Sequence, residues 1–216
     1  MAFGVDLAYG ATSLPSANEN PSQEAASNFQ VKMNPWDLDL TLFEENGREG
    51  GRGRESFDMI VVASLIDRLP NLAGLSRTCE VFGVTTLVVP NISLLKEAEF
   101  KNISMTSDQW LDIRQVRPAE IESYLQMLRL DGYRILAVEQ SSQSQPLQNY
   151  TFPRKTCLLM GNEKEGVPAE LLQLVDDCVE IPQFGMIRSL NVHVSGSVVI
   201  WEARRQALSS VSSVAV

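Results

Sequence analysis

The chain has 216 residues, of which 44% are hydrophobic and 21% charged, with three cysteines, one histidine and a formal charge of −9. That composition suits one globular domain with a tail, and no run approaches the roughly 18 to 20 uninterrupted apolar residues of a membrane-spanning helix. Cys79, Cys157 and Cys178 are odd in number and set among apolar neighbours, which favours buried free thiols over a disulfide framework, and a lone histidine without a close cysteine pair leaves no zinc site.

In chain order, residues 1–30 are rich in Ser, Asn, Ala and Pro without apolar periodicity and read as a disordered leader or linker. The start, MAFGVDLAYGATSL, has no basic lead before an apolar run, so a cytoplasmic or nuclear location is expected. Within 31–56, the stretch 34–42 (NPWDLDLTL) reads as a short ordered arm, and the Gly-rich charged run 44–55 (EENGREGGRGRE) as a flexible loop. The packed domain is expected over 57–208 and a flexible tail over 209–216.

Short apolar runs rich in β-branched residues predict strands at 57–65, 85–89, 133–138, 156–160 and 178–181, with a weaker one at 113–116. Amphipathic stretches predict helices at 71–82, 94–101, 118–131, 168–175 and 191–208. Pro118 and Pro168 suit first helical turns, and Gly132 follows the third helix as a stop. Strands alternating with helices predict an α/β fold with a mostly parallel sheet covered by helices on both faces. Ligands of such sheets sit at the carboxyl ends of the strands. Trp36, Trp110 and Trp201 are too widely spaced to form a stacking platform and are expected in the core.

Three segments follow strands directly. In 67–80 (DRLPNLAGLSRTCE), Asn71 is placed to cap a helix, Gly74 permits close backbone approach, and Arg77 lies six residues on. In 161–166 (GNEKEG), two glycines five apart suggest a phosphate loop, yet Val167 and Pro168 stand where a P-loop needs Lys and Ser or Thr. What remains is a tight turn offering backbone groups, with Glu163 and Glu165 suited to a sulfonium or an amine. In 181–191 (IPQFGMIRSLN), Pro182 stops a strand, Gly185 permits a turn, and Ser189 and Asn191 stand before the last helix, a loop able to close over an adenine. No G-x-S-x-G precedes Ser189, which excludes a nucleophile elbow, and His193 reads as a helix residue with a local hydrogen bond. Taken singly, each segment also fits a structural role: a capped helix with a solvated arginine, an ordinary strand-to-helix turn, a capped final helix.

In this order, each after a strand, the three segments resemble the motifs of the SpoU or TrmH branch of the SPOUT methyltransferases. The shared residues are N-x-x-G-x-x-R-T-C from Asn71 to Cys79, L-x-G-N-E-x-x-G-V from Leu159 to Val167, and I-P-x-x-G-M-x-x-S-L-N from Ile181 to Asn191, within a match over about 57–208. The wording is closest to the tRNA guanosine-2′-O-methyltransferases, in particular the catalytic domain at the carboxyl end of their large eukaryotic members. Those members carry a long helical region ahead of the domain, so an excised catalytic domain or a reduced relative is expected.

The resemblance implies a carboxyl-terminal trefoil knot, an exception to the rule against knots, and a homodimer. It implies S-adenosyl-L-methionine as methyl donor and RNA as substrate, foremost the D-loop guanosine of tRNA. A catalytically inactive RNA-binding or scaffold domain and the same chemistry on rRNA are the competing expectations. By position it puts Asn71, Arg77, Glu163, Ser189 and Asn191 in the catalytic set, and Gly161, Ile181, Leu190, Met186 and Glu139 around the donor, without a metal. An arginine, with an ordinary pKa of about 12.5 to 13.8, is a poor base. Arg77 is therefore expected to act by hydrogen bonding to the ribose hydroxyl, with help from an RNA phosphate, and by stabilising the developing oxyanion. Charge opposes an RNA substrate: 9 acidic and 4 basic residues precede Phe57, and 18 and 14 follow from it onward. A local basic patch, a partner domain or a second subunit must compensate.

Overall fold

The computed structural model describes residues 58–187 and 189–212. The expected leader, the arm with Trp36, and residues 213–216 of the expected tail lie outside them. Seven strands form one sheet: β1 (Asp58–Val62), β2 (Thr86–Val89), β3 (Asp112–Gln115), β4 (Arg134–Val138), β5 (Gln145–Pro146), β6 (Lys155–Leu159) and β7 (Asp177–Glu180), in the order β3-β2-β1-β6-β4-β7-β5. Every pairing is parallel. The helices are α1 (Leu69–Val81), α2 (Ala98–Ser104), α3 (Ile121–Leu130), α4 (Ala169–Leu172) and α5 (Val192–Ser212).

The two-residue period of β1 explains why its sequence is a continuous apolar run. Met59 and Val61 face a core shared with Leu72, Leu75 and Cys79 of α1, Phe100 of α2, and Val199, Ile200 and Ala203 of α5. Ile60 and Val62 face the other way, onto Ile121, Leu125 and Leu128 of α3, with Leu171 and Leu172 of α4 at the margin. A strand buried on both faces has no polar alternation to show. Leu158, at the centre of β6, is fully buried in the first of these cores; truncating such a leucine to alanine costs about 2–5 kcal/mol.

Boundaries differ from expectation where local hydrogen bonds end an element early. β1 stops at Val62 because the chain turns at once, with the Ile66 amide donating to the Ala63 carbonyl at 3.0 Å. The helix expected at 94–101 is a 3-10 turn, Ile92–Lys96, capped by Asn91, followed by α2. Pro118–Glu120 is likewise a 3-10 turn ahead of α3, and α4 is only four residues long. α5 runs to Ser212, beyond the end expected at 208. β5 was not anticipated: two residues on the sheet edge, one a proline, carry no strand pattern. Trp110 and Trp201 are exposed, contrary to the core placement expected of them. The three cysteines are free, with Cys79 and Cys157 buried.

The strand order positions the site. β6 enters between β1 and β4, with Val62 beside Leu159 on one side and Ala137 beside Leu159 on the other. The loops leaving β1, β6 and β4 therefore emerge side by side at the carboxyl edge, and β7 adds its own exit next to β4.

Candidate active site

Where β1 and β6 end together, Glu163 reaches across to the start of α1. Its two carboxylate oxygens accept the backbone amides of Asp67 and Arg68, each at 3.0 Å, and Oε1 also accepts Asn71 Nδ2 at 2.8 Å. The expected cap is thereby corrected. Asn71 is the third residue of α1, and the helix-start residue Arg68 makes no side-chain cap bond. The amide of the helix-start residue Arg68 is satisfied by a carboxylate 95 residues further on, at the end where the helix dipole favours negative charge. The same geometry removes Glu163 from the role of a free anion awaiting a cation.

From Asn71 the chain of bonds continues into the third segment. Asn191 Nδ2 donates to Asn71 Oδ1 at 2.9 Å, while Asn191 Oδ1 accepts the amides of His193 at 2.9 Å and Val194 at 3.3 Å. Asn191, and not Ser189, is thus the side chain that caps α5. The amide orientations follow by elimination, since an ionised carboxylate only accepts. Glu163 must face Asn71 Nδ2, so Asn71 Oδ1 must face Asn191 Nδ2. Burial pushes the Glu163 carboxyl up, but the hydrogen bonds from Asn71, Asp67 and Arg68 outweigh it and hold it below the usual glutamate value.

Asn162 is a second hub, outside the set of residues expected from sequence. Its Nδ2 donates to the Leu65 carbonyl at 3.1 Å and to Asp67 Oδ2 at 2.8 Å, and its Oδ1 accepts the amides of Lys164 and Glu165. The signal was present, because an asparagine bonding its own backbone two residues on is a standard turn device.

Along α1, Asn71, Gly74 and Thr78 form one stripe against the start of α5. Gly74 has no side chain because the His193 ring lies where a Cβ would go, 2.6 Å away. The His193 Nε2 and Thr78 Oγ1 are 3.0 Å apart, and burial lowers the imidazole's pKa. His193 lies in a helix as expected, but its side chain bonds Thr78, 115 residues away, where a local partner was expected, and it packs in this seam.

The 161–166 turn is closed by a reciprocal pair, Asn162 amide to Gly166 carbonyl at 2.8 Å and Gly166 amide to Asn162 carbonyl at 3.0 Å. A Cβ on Gly161 would fall 2.7 Å from the Gly166 carbonyl carbon, so only glycine lets the two strands of the turn approach. Glu139, at the end of β4, accepts the Val167 amide at 2.8 Å and so stands against this turn. Gly161, Glu139 and Ile181 are thus neighbours by strand register.

The remaining expected residues are not drawn into the clamp. Arg77 lies six residues along α1 from Asn71, about 9 Å by helical rise. It is exposed, and no described residue bonds its guanidinium. Ser189 and Leu190 are exposed, and Met186 stands 95% exposed beside Phe184 at 98%.

A parallel sheet whose strand-end loops are joined this way matches a known family along most of its length. The SpoU rRNA Methylase family model matches residues 58–201, and the chain belongs to that family. Over 195 residues it is 48% identical to the Mus musculus tRNA (guanosine(18)-2′-O)-methyltransferase TARBP1, covering 88% of this chain and 12% of that protein. The Saccharomyces cerevisiae tRNA (guanosine(18)-2′-O)-methyltransferase is 35% identical over 190 residues, 88% of this chain and 13% of that one. The chain therefore spans only about an eighth of the length of these two relatives. The Aquifex aeolicus enzyme of the same name is 30% identical over 149 residues, 69% of this chain and 70% of that one. The crystal structure of the A. aeolicus TrmH/SpoU tRNA modifying enzyme superposes with a TM-score of 0.64 at 29% identity, covering 73% of this chain and 79% of that one.

Proposed function

We propose that this domain transfers a methyl group from S-adenosylmethionine to the ribose 2′-hydroxyl of guanosine 18 in tRNA, acting as a homodimer with its carboxyl-terminal part threaded as a trefoil knot. The observation that carries the reading is the bonded union of Glu163, Asn71 and Asn191 at the strand ends. It occurs in a chain whose relatives at 48% and 35% identity are named for that activity.

The residues present fit the donor. The Gly161 turn offers backbone where no side chain intrudes, and Gln183 Oε1, on the adjacent loop, is buried without a partner among the described residues. Gly161, Ile181, Met186 and Leu190 would hold the donor, with Glu139 at its edge. When bound, S-adenosylmethionine supplies an electrophilic methyl group on a sulfonium. The protein's own contribution is chiefly positional, worth up to roughly 7 to 11 kcal/mol in well-oriented systems. The clamp fixes the first turn of α1 relative to α5 and so sets where Arg77 projects. Arg77 donates to the hydroxyl oxygen and stabilises the charge that develops there. Its planar fork also reaches a neighbouring phosphate, which a lysine cannot reproduce. Ser189, just before the α5 cap, supplies a further hydroxyl to this pocket.

The outer face of α5 supports the reading of a second subunit. Val194, Val198, Trp201 and Leu208 are exposed there at helical spacing. So large an apolar face on a chain of net charge −9 belongs against another surface. Arg68, Arg77 and Lys164, all exposed around the clamp, supply local positive charge for RNA.

The test is transfer from labelled S-adenosylmethionine to unmodified tRNA and to rRNA, with mapping of alkali-resistant dinucleotides. Label at position 18 of tRNA is expected. Label confined to rRNA would replace the substrate, and no transfer to either would leave a scaffold.

A further inference from the structure

Among the described residues, four buried side-chain polar atoms have no hydrogen-bond partner: Ser64 Oγ, Ser104 Oγ, Tyr124 OH and Gln183 Oε1. Three are hydroxyls. Gln183 is the one amide, and it alone lies in the 181–191 loop. That loop is turned inside out relative to the usual preference. Its apolar side chains Phe184, Met186 and Ile187 point to solvent, while the polar Gln183 is drawn inward. An amide oxygen buried without a donor carries a desolvation penalty that a bound N–H would remove.

Gln183 stands in the loop that leaves the carboxyl edge of the sheet. β7 ends at Glu180, its neighbour β4 leads into Glu139, and the Glu139 amide donates to the Val179 carbonyl at 3.1 Å. Gln183 leaves the sheet three residues after β7, on the carboxyl edge that also carries the Gly161 turn. Two kinds of N–H on an adenosyl-amino acid donor want an acceptor. The charged ammonium is best matched by a carboxylate, and Glu139 and Glu180 flank this edge. The neutral 6-amine of adenine is matched by a neutral amide oxygen.

Resting on the reading above, we infer that Gln183 is a base-recognising residue of the donor pocket, its Oε1 accepting a hydrogen bond from the adenine 6-amine. The site then selects adenine through this contact and not through shape alone. A pocket built to bond a particular group discriminates strongly against an analogue that lacks it.

Calorimetry on the purified full chain tests this with S-adenosylhomocysteine and its analogue in which the 6-amine is replaced by hydrogen. The wild type is expected to prefer the amine-bearing ligand by roughly 5- to 100-fold. Gln183→Met keeps the length and removes the acceptor, so the preference should collapse to within about twofold. Gln183→Glu keeps an acceptor oxygen and should retain most of the preference, which also guards against a folding defect in the methionine variant. If Gln183→Met weakens both ligands equally, or leaves the preference intact, the inference is wrong. If the wild type binds neither ligand, the donor reading itself fails and takes this inference with it.

Discussion

At the clamp, both carboxylate oxygens of Glu163 and both amide atoms of Asn71 and Asn191 are bonded within the chain. Six residues along α1 from Asn71, Arg77 is exposed; Ser189 is exposed, and the 184–187 loop shows its apolar side chains to solvent. These two regions belong to the same three motifs, yet one is satisfied and the other waits for partners. The contrast divides residues that share a motif into two jobs. Glu163, Asn71 and Asn191 build the frame; on the proposed function, Arg77, Ser189 and the loop are the part that meets donor and RNA.

The division breaks most visibly at Arg77. Replacing it with Ala or Lys should cut single-turnover methyl transfer by about 100- to 1,000-fold, the usual cost of removing one oxyanion donor, with an unchanged melting temperature. A lysine variant with near-normal turnover would show that the guanidinium fork is not what matters.

Next in size is Gly74→Ala. Its new methyl would meet the His193 ring at 2.6 Å, and overpacking of this kind costs about 1–3 kcal/mol in unfolding free energy. Pairing it with His193→Ala should recover much of that loss in a double-mutant cycle. Simple additivity would mean the seam is not where the strain falls.

Glu163→Gln should cost about 1–2 kcal/mol of stability, because charge-assisted bonds to two amides and Asn71 become neutral ones. The sign with pH is fixed by the lowered carboxyl. Its contribution is complete above the ordinary glutamate value of about 4.3 and is lost as pH falls through the lower folded value. Chemical-denaturation curves for wild type and variant should therefore converge as the medium is taken below about pH 4. A difference that grows on acidification would reverse the assignment. Smallest of all, Ser189→Ala should move stability by less than about 0.5 kcal/mol while lowering turnover; a large drop in melting temperature would place Ser189 in the frame.

How much of this was readable in the sequence also follows the division. The strands were legible because a stretch such as MIVV is buried on both faces, and a run of that kind has few other uses. The three post-strand segments were legible as segments. Their union was not, since nothing local announces that β6 enters between β1 and β4. The partner of Asn71 lies 92 residues downstream; local sequence makes Asn71 a cap, whereas the amide of the helix-start residue Arg68 is held by Glu163. Asn162 was visible as a turn residue and overlooked as a hub. The tryptophans failed for a different reason. Burial was assigned by residue type, whereas Trp201 stands on the face of α5 left exposed beside Val194, Val198 and Leu208.

The central claim is transfer to one ribose oxygen, and one substrate atom decides it. A tRNA carrying 2′-deoxyguanosine at position 18, otherwise identical to a substrate that accepts label, should bind the protein and receive no methyl group. Label appearing in that deoxy tRNA at the unmodified rate would contradict the account, because the accepting atom would then lie elsewhere in the RNA.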